Sequence, residues 1–360
     1  MTGATYIIAE AGVNHNGSIE LAKRLVEEAA KAGANAVKFQ TFQAAKLVSS
    51  RAEKAEYQKR LTDSQESQLE MIRRLELSLD DHVELIECCR LHNIDFLSTP
   101  FDDASLVLLT ERLRLPRLKF SSGDLSNLPL LLKAAQTGCE LIVSTGMATL
   151  GEVEEALSVI AFGLVSDENI KPSLSAFRSI YASEEGQQAL RNKVTLLHCT
   201  TEYPTPYEDV HLNRMLTLEQ AFGLPAGYSD HTLGTEVSVA AVALGAKMIE
   251  KHFTLDKTME GPDHQASLEP QEIQALIKQI RHTEAALGTR VKYPAASELK
   301  NMTPARKSIV ASRSIQPGEA FDETNLTLKR PGNGLSPSIY WEILGRKANR
   351  SYEQDELIEW

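Results

Sequence analysis

The sequence predicts a (β/α)8 barrel followed by a small β-rich tail, and three observations carry that reading. Short β-branched or apolar runs alternate with helical patterns eight times over roughly 280 residues. No GxGxxG follows the first run, which argues against an open doubly wound sheet. From about Ala305 the pattern changes to short strands broken by Pro-Gly, Asn and Pro-Gly-Asn-Gly turns.

In order, the predicted strands are YIIAEAG (6–12), AVKFQT (36–41), DFLSTPF (95–101) and LKFSSGD (118–124). LIVSTGM (141–147), VTLLHCT (194–200), AGYSDHT (226–232) and MIEKHFT (248–254) follow. Helical patterns such as IELAKRLVEEAAKAGA, LPLLLKAAQTG, LGEVEEALSVIAF and TEVSVAAVALGA lie between them. Two connections are long: 42–74, charged and Gln-rich, and 165–192, mixed and polar. Insertions of this kind in a barrel serve as lids, interface pieces or solvated excursions. The barrel is expected over 1–288, a linker over 289–304, and the tail over 305–360.

Charge narrows the function classes. The chain has 38 Lys and Arg against 49 Asp and Glu, a net −11, with no basic tract. It has no general attraction to nucleic acid or anionic lipid, so an anionic ligand must be held by a few placed cations. No apolar run is long enough to span a membrane, and the N-terminus lacks a secretory pattern; a cytoplasmic protein is expected. Cys88, Cys89, Cys139 and Cys199 form no CxxC, and read as reduced packing residues.

Barrel sites sit where the strands end. The strand ends here are Glu10, Lys38 and Gln40, Ser98 and Thr99, Lys119 with Ser121 and Ser122, Ser144, His198 with Thr200, Ser229 with His231, and His252. Two lysines and several hydroxyls converging on one mouth would stay unsatisfied without a polyanion between them, and a phosphate-plus-carboxylate ligand meets that need. His231 and His252 end neighbouring strands and can offer two imidazoles to one divalent ion. Two nitrogens, with other positions left to water and substrate, suit Mn²⁺, Mg²⁺ or Fe²⁺ better than structural zinc. His198 reads as a packed residue and His15, in a loop, as a turn contact or substrate neighbour. Glu10 either pairs with Lys38 or acts as a base. Glu250, one step below His252 on the same strand face, reads as a supporting partner.

Nine motifs in register carry a resemblance: IIAEAGVNHNGS, VKFQTF, FLSTPF, SSGD, VSTGMA, HCTTEYPTPYEDV, GYSDHT, IEKHFTLDKTMEGPDH and KRPGNGLSP. Together they resemble the sialic acid synthase family, which includes N-acetylneuraminate and legionaminate synthases. The resemblance implies a metal-dependent TIM barrel followed by an antifreeze-like (SAF) domain, in a domain-swapped homodimer. It implies condensation of phosphoenolpyruvate with an open-chain N-acylated hexosamine to a nine-carbon ulosonic acid plus phosphate. On this resemblance His231 and His252 hold Mn²⁺ or Mg²⁺, and Lys38, Gln40, Thr99, Lys119, Ser122, Ser144 and Ser229 cradle phosphoenolpyruvate. Glu10 is the acid–base residue, Asp124, Tyr203 and Asp263 contact the sugar, and Arg330 reaches across from the other subunit. Where some members carry Gly-Ser-Gly-Glu, this chain has Ser121-Ser122-Gly123-Asp124, and Thr201 replaces an Asn. These departures bear on the acceptor more than on the chemistry. N-acetylmannosamine is the first expectation for it, and 2,4-diacetamido-2,4,6-trideoxymannose the alternative.

Three other readings compete. A metal-dependent barrel hydrolase would usually carry an HxH on the first strand, which IIAEAG lacks. A synthase using a sugar phosphate would need more cations than these lysines and Arg330. A tail that binds ice or glycan, with the barrel as scaffold, leaves the ring of polar strand ends unexplained.

Overall fold

The computed structural model describes residues 3–49, 67–167 and 170–359. The chain divides into two compact units, Met1–Gly288 and Thr289–Trp360.

The first unit is the (β/α)8 barrel. Its strands are β1 (Tyr6–Gly12), β2 (Ala36–Thr41), β3 (Asp95–Pro100), β4 (Arg117–Phe120), β5 (Glu140–Ser144), β6 (Val194–His198), β7 (Ala226–Asp230) and β8 (Met248–His252). Every ladder is parallel, in the order β3-β2-β1-β8-β7-β6-β5-β4. β3 and β4 lie side by side and close the ring without a ladder among the described residues. Arg117 crosses that seam, with Nη1 4.0 Å from Asp95 Oδ2 and Nη2 2.7 Å from Glu140 Oε2.

Strand parity sorts the side chains into two cores. Ile7, Ala9, Val37, Phe39, Leu118 and Ile249 point outward, into the layer between strands and helices. Ile8, Ala36, Leu97, Ile142, Leu197 and Met248 point inward and plug the lower half of the barrel. One step further along each strand the inward positions turn polar: Glu10, Lys38, Thr99, Lys119, Ser144, Ser229 and Glu250 are all buried. The apolar plug thus forms the floor on which a polar layer stands.

The ring helices start where the sequence supplies caps. Helix α1 (Ile19–Ala32) is capped by Ser18, buries Ala22, Leu25, Val26 and Ala29, and ends on Gly33 at φ 90°. Helix α2 (Leu79–Leu91) opens with a Ser78–Asp81 capping box. The helix Leu150–Val165 opens with the same reciprocal arrangement between Thr149 and Glu152.

Several strands stop earlier than the sequence suggests. SSGD is not strand: β4 ends at Phe120 and Ser122–Asp124 form a 3-10 turn. The Ser121 hydroxyl donates to Asp124 Oδ2 at 2.7 Å and the Asp124 amide to the Ser121 carbonyl at 3.1 Å, so local bonds replace ladder bonds. In the 42–74 connection, the helices Ala44–Leu47 and Gln68–Arg73 are seen; residues 50–66 lie outside the described ones. The 165–192 stretch contributes Leu174–Tyr181 and most of Glu184–Lys193, and Phe177 packs edge-on against Phe162 at 5.1 Å.

The second unit pairs β9 (Ser308–Ala311) with β10 (Leu326–Lys329) in an antiparallel ribbon. Ile309, Ile315, Phe321, Leu326, Ile343, Tyr352 and Ile358 form its own small core. The 289–304 stretch holds most of a helix, Ala296–Ala305, where Glu298 accepts from the Ala295 amide; none of its residues is buried. Ala, Glu, Leu and Lys favour helix there, and the Thr303 carbonyl accepts from the Gly332 amide at 2.7 Å. Among the described residues no helix is long and apolar enough to cross a membrane.

Candidate active site

The C-terminal ends of the strands open into a cavity of about 430 Å³. At its base Lys38 of β2 and Lys119 of β4, one strand apart in the ring, both face it and are almost wholly buried. They are not left to repel one another, as the strand-end pattern alone suggests. Lys38 Nζ lies 2.7 Å from Glu10 Oε2 and 3.9 Å from Glu250 Oε2, and Lys119 Nζ lies 3.3 Å from Glu250 Oε1. Glu250 stands between the two ammonium groups and also accepts from the Ser229 hydroxyl at 2.8 Å. It supports the lysines rather than the histidine above it.

This cluster is poised rather than closed. Burial pushes the Glu250 carboxyl up, but Lys119 and Lys38 together outweigh it and hold the group well below the usual range. Burial, reinforced by the Glu250 charge, pushes Glu10 up despite Lys38. Burial alone would lower Lys38, yet the two glutamates hold it above its ordinary value. Glu250 Oε2 and the Ser144 hydroxyl are buried and take part in no hydrogen bond among the described residues. Unmet hydrogen-bonding capacity of this kind costs energy in an apolar interior, and a polar ligand in the cavity would relieve it.

Thr99, Gln40 and Ser122 complete this side. Lys38 Nζ donates to Thr99 Oγ1 at 3.2 Å, and Gln40 Nε2 to Glu10 Oε1 at 3.4 Å. Ser122 Oγ accepts from the Gly146 amide at 2.9 Å and lies 3.0 Å from Cys199 Sγ. A Cβ at Gly146 would fall 2.5 Å from Thr201 Oγ1 and 2.8 Å from Ser122 Oγ, so only glycine leaves this corner open. Gly12 serves Glu10 in the same way: at φ 52° it forms the irregularity that ends β1, and a Cβ there would press on Glu10 Oε1 at 3.1 Å.

The imidazoles of His231 and His252 face each other across the rim, with ring centroids 5.3 Å apart and planes 76° from parallel. Tyr203 lies over His231 at 4.2 Å and edge-on to His252 at 5.5 Å. Burial pushes His231 down to about 4 and His252 well below its ordinary value, so both rings are neutral near pH 7. His231 Nδ1 donates to the Thr200 carbonyl at 2.7 Å, and Ser229 Oγ, 3.3 Å from Nε2, gives its proton to Glu250, which leaves the Nε2 lone pair available. Asp263 Oδ2 is 3.7 Å from His252 Nδ1, and burial raises its carboxyl to about 6. Among the described residues no cluster of three or more His, Cys, Asp or Glu is arranged to hold a metal. Two neutral, buried imidazoles on one space fit a divalent ion that takes its remaining ligands from substrate and water.

One expected residue lies elsewhere. Asp124 is not among the lining residues; its carboxylate is occupied by Ser121 and, at 3.4 Å, by Asn127. Arg330 is exposed, just past β10 in the second unit. His198 is packed, its Nε2 2.7 Å from the Val210 carbonyl, and His15 is fully buried and accepts from the Gly17 amide at 3.0 Å. The sequence reading missed the opposite wall, which is apolar: Val13, Phe42, Leu47, Met71, Ile72, Leu75 and Phe101. Its one sequence signal was the i, i+4 spacing of Met71 and Leu75 inside a stretch otherwise charged.

The NeuB family profile matches residues 25–292 and the SAF domain profile residues 306–360. The N,N'-diacetyllegionaminic acid synthase of Campylobacter jejuni is 51% identical over 354 residues, covering 98% of each chain. The protein of that same name from Legionella pneumophila is 42% identical, over 99% of this chain and 93% of its own. Among solved structures, the N-acetylneuraminic acid synthetase of Leptospira borgpetersenii superposes with a TM-score of 0.66 at 33% identity, covering 83% of this chain and 90% of that one.

Proposed function

The chain belongs to the NeuB family of synthases, and from that premise we propose that it condenses phosphoenolpyruvate with open-chain 2,4-diacetamido-2,4,6-trideoxymannose, forming N,N'-diacetyllegionaminic acid and phosphate. The observation that carries the reaction type is one cavity holding a lysine–hydroxyl floor beside a pair of neutral imidazoles. The acceptor rests on the relatives. N-acetylmannosamine stood first on the sequence motifs, but the 51% and 42% identities to legionaminic acid synthases, against 33% to a sialic acid synthetase, support the alternative better.

Lys38 and Lys119, with Thr99, Ser122, Ser144 and Ser229, bind the phosphate and carboxylate of phosphoenolpyruvate and fix the enol in place. His231 and His252 would hold Mn²⁺ or Mg²⁺, which when bound supplies Lewis-acid polarisation of the acceptor aldehyde. Tyr203 and Asp263 position the sugar beside the imidazoles. C3 of phosphoenolpyruvate forms the new bond to the aldehyde carbon, whose oxygen takes up one proton. Water adds at C2 and gives up one proton, and the C2–O bond to phosphate then breaks, the departing phosphate taking the proton of the C2 hydroxyl, to leave the ketone. A single carboxyl can serve both transfers, giving a proton to the oxygen and taking one from the water, and the raised Glu10 is placed for that. The two lysines keep developing charge in fixed surroundings. Arg330 is proposed to act from a partner subunit in a cytoplasmic homodimer.

Phosphate release by the purified chain with Mn²⁺ tests this reading. It is expected only with phosphoenolpyruvate and sugar together, and faster with the diacetamido sugar than with N-acetylmannosamine. Phosphate released without sugar would favour a hydrolase, and none with either sugar would end the proposal. Mixing Arg330→Ala with Glu10→Ala chains should restore activity through hybrid dimers; no recovery would refute delivery from a partner.

A further inference from the structure

The mechanism above uses only part of the cavity. Its remaining wall is built from segments that follow β2 and β3, away from His231, which follows β7, and His252, which ends β8. Phe42, Leu47, Met71, Ile72, Leu75 and Phe101 present no side-chain hydrogen-bonding group to the space they share with the polar floor. Their packing is mutual: Phe42 and Phe101 meet edge-on at 6.3 Å, within one cluster with Val13 and Leu75.

The wall is also braced. The Asp102 carboxylate accepts from the Gln43 amide at 2.9 Å, tying the chain after β2 to the chain after β3. Glu76 accepts from the Ala44 amide, tying the turn after Gln68–Arg73 to the short helix Ala44–Leu47. The helix Gln68–Arg73 is itself started by a Ser67–Glu70 capping box. Residues whose main chain is held at both ends are a preformed surface rather than a collapsed loop.

We infer that this wall is the specificity surface for the acceptor: it receives the deoxygenated C6 end and the C4 acyl methyl of a diacetamido-trideoxyhexose, and selects against a hexosamine with hydroxyls there. This rests on the reading under Proposed function and adds which residues choose the sugar. The aldehyde end belongs beside the imidazoles, so the far end of an open-chain sugar lies toward the opposite wall. A methyl group placed there leaves water for apolar contact. A hydroxyl placed there gives up its hydrogen bonds to water, and among the described residues this wall offers no side-chain partner to replace them. Apolar pockets separate substrates that differ by such small groups by roughly tenfold to a hundredfold.

The test is the ratio of kcat/KM for 2,4-diacetamido-2,4,6-trideoxymannose to that for N-acetylmannosamine, in the full chain with Mn²⁺. Leu47 and Ile72 are half-buried, so Leu47→Gln and Ile72→Gln add an amide at the wall with little risk to folding. The ratio is expected to favour the diacetamido sugar in the parent chain and to fall by roughly tenfold or more in each variant. The KM for phosphoenolpyruvate should stay within about twofold, and Leu47→Met should keep the parent ratio. An unchanged ratio in both variants, or equal losses on both sugars, overturns the wall's role and leaves the proposed reaction standing. A parent preference for N-acetylmannosamine also overturns it. Turnover of neither sugar by the parent chain overturns the proposed reaction, and the wall's role with it.

Discussion

The two faces of β8 carry buried charges one residue apart, and they are handled in opposite ways. On the outer face Lys251 Nζ lies 3.0 Å from Asp230 Oδ2 and donates to the Thr232 carbonyl at 2.6 Å. Asp230 accepts from the Thr232 amide and hydroxyl and, at 2.6 Å, from Ser238. Both side chains are fully buried, and each carboxylate oxygen has a donor. On the inner face Glu250 shares two lysines, one of them no nearer than 3.9 Å, and one of its oxygens accepts no hydrogen bond among the described residues. A network whose work is to hold strands together closes on itself; one that receives a ligand keeps bonding capacity in reserve. The chemistry of the residues is the same, and only their completeness differs.

The sharpest way to break this contrast is Lys119→Met. On the inner face it should lower kcat/KM for phosphoenolpyruvate by about a thousandfold, or about 4 kcal/mol. A loss below about tenfold would mean that the inner cluster is structural too. Lys251→Met comes next: it leaves the Asp230 charge buried without its partner and should reduce unfolding free energy by about 3–5 kcal/mol in urea titration. A cost under about 1 kcal/mol would erase the distinction between the faces.

His15 sharpens the comparison from a third position, as a buried group whose Nε2 takes part in no hydrogen bond among the described residues. Burial pushes its imidazole down to about 4 from the usual 6.5. The unfolded chain therefore takes up this proton first as pH falls. The stability that neutral His15 contributes is complete above about 6.5 and is lost as pH drops through 4. His15→Gln should thus destabilise less at about pH 4.5 than at pH 7.5, by roughly 2 kcal/mol in paired urea titrations. Equal destabilisation at both pH values would show that the ring titrates normally. The smallest effect belongs to Ser144→Ala, which removes a hydroxyl that takes part in no hydrogen bond among the described residues. Stability should hold or rise slightly, while kcat/KM for phosphoenolpyruvate falls about tenfold. A clear loss of stability would show that the hydroxyl already had a structural task.

What the sequence determined by itself was the parity of each strand. A two-residue repeat is local, so reading along β1, β2, β4 and β8 already puts Glu10, Lys38, Lys119, Glu250 and His252 on the inward face. The eightfold alternation made the barrel legible for the same reason, and the motifs made the family legible. The tertiary structure alone decided which charges meet. Glu250 answers Lys119 across the ring, a distance set by how the strands close and not by spacing along the chain. It also turned Asp124 back onto Ser121, because a tight 3-10 turn satisfied that carboxylate locally. The apolar wall was hidden by the same logic: Val13, Phe42 and Phe101 come from three separate connections, and apolar side chains scattered through loops acquire a common face only when the chain brings them together.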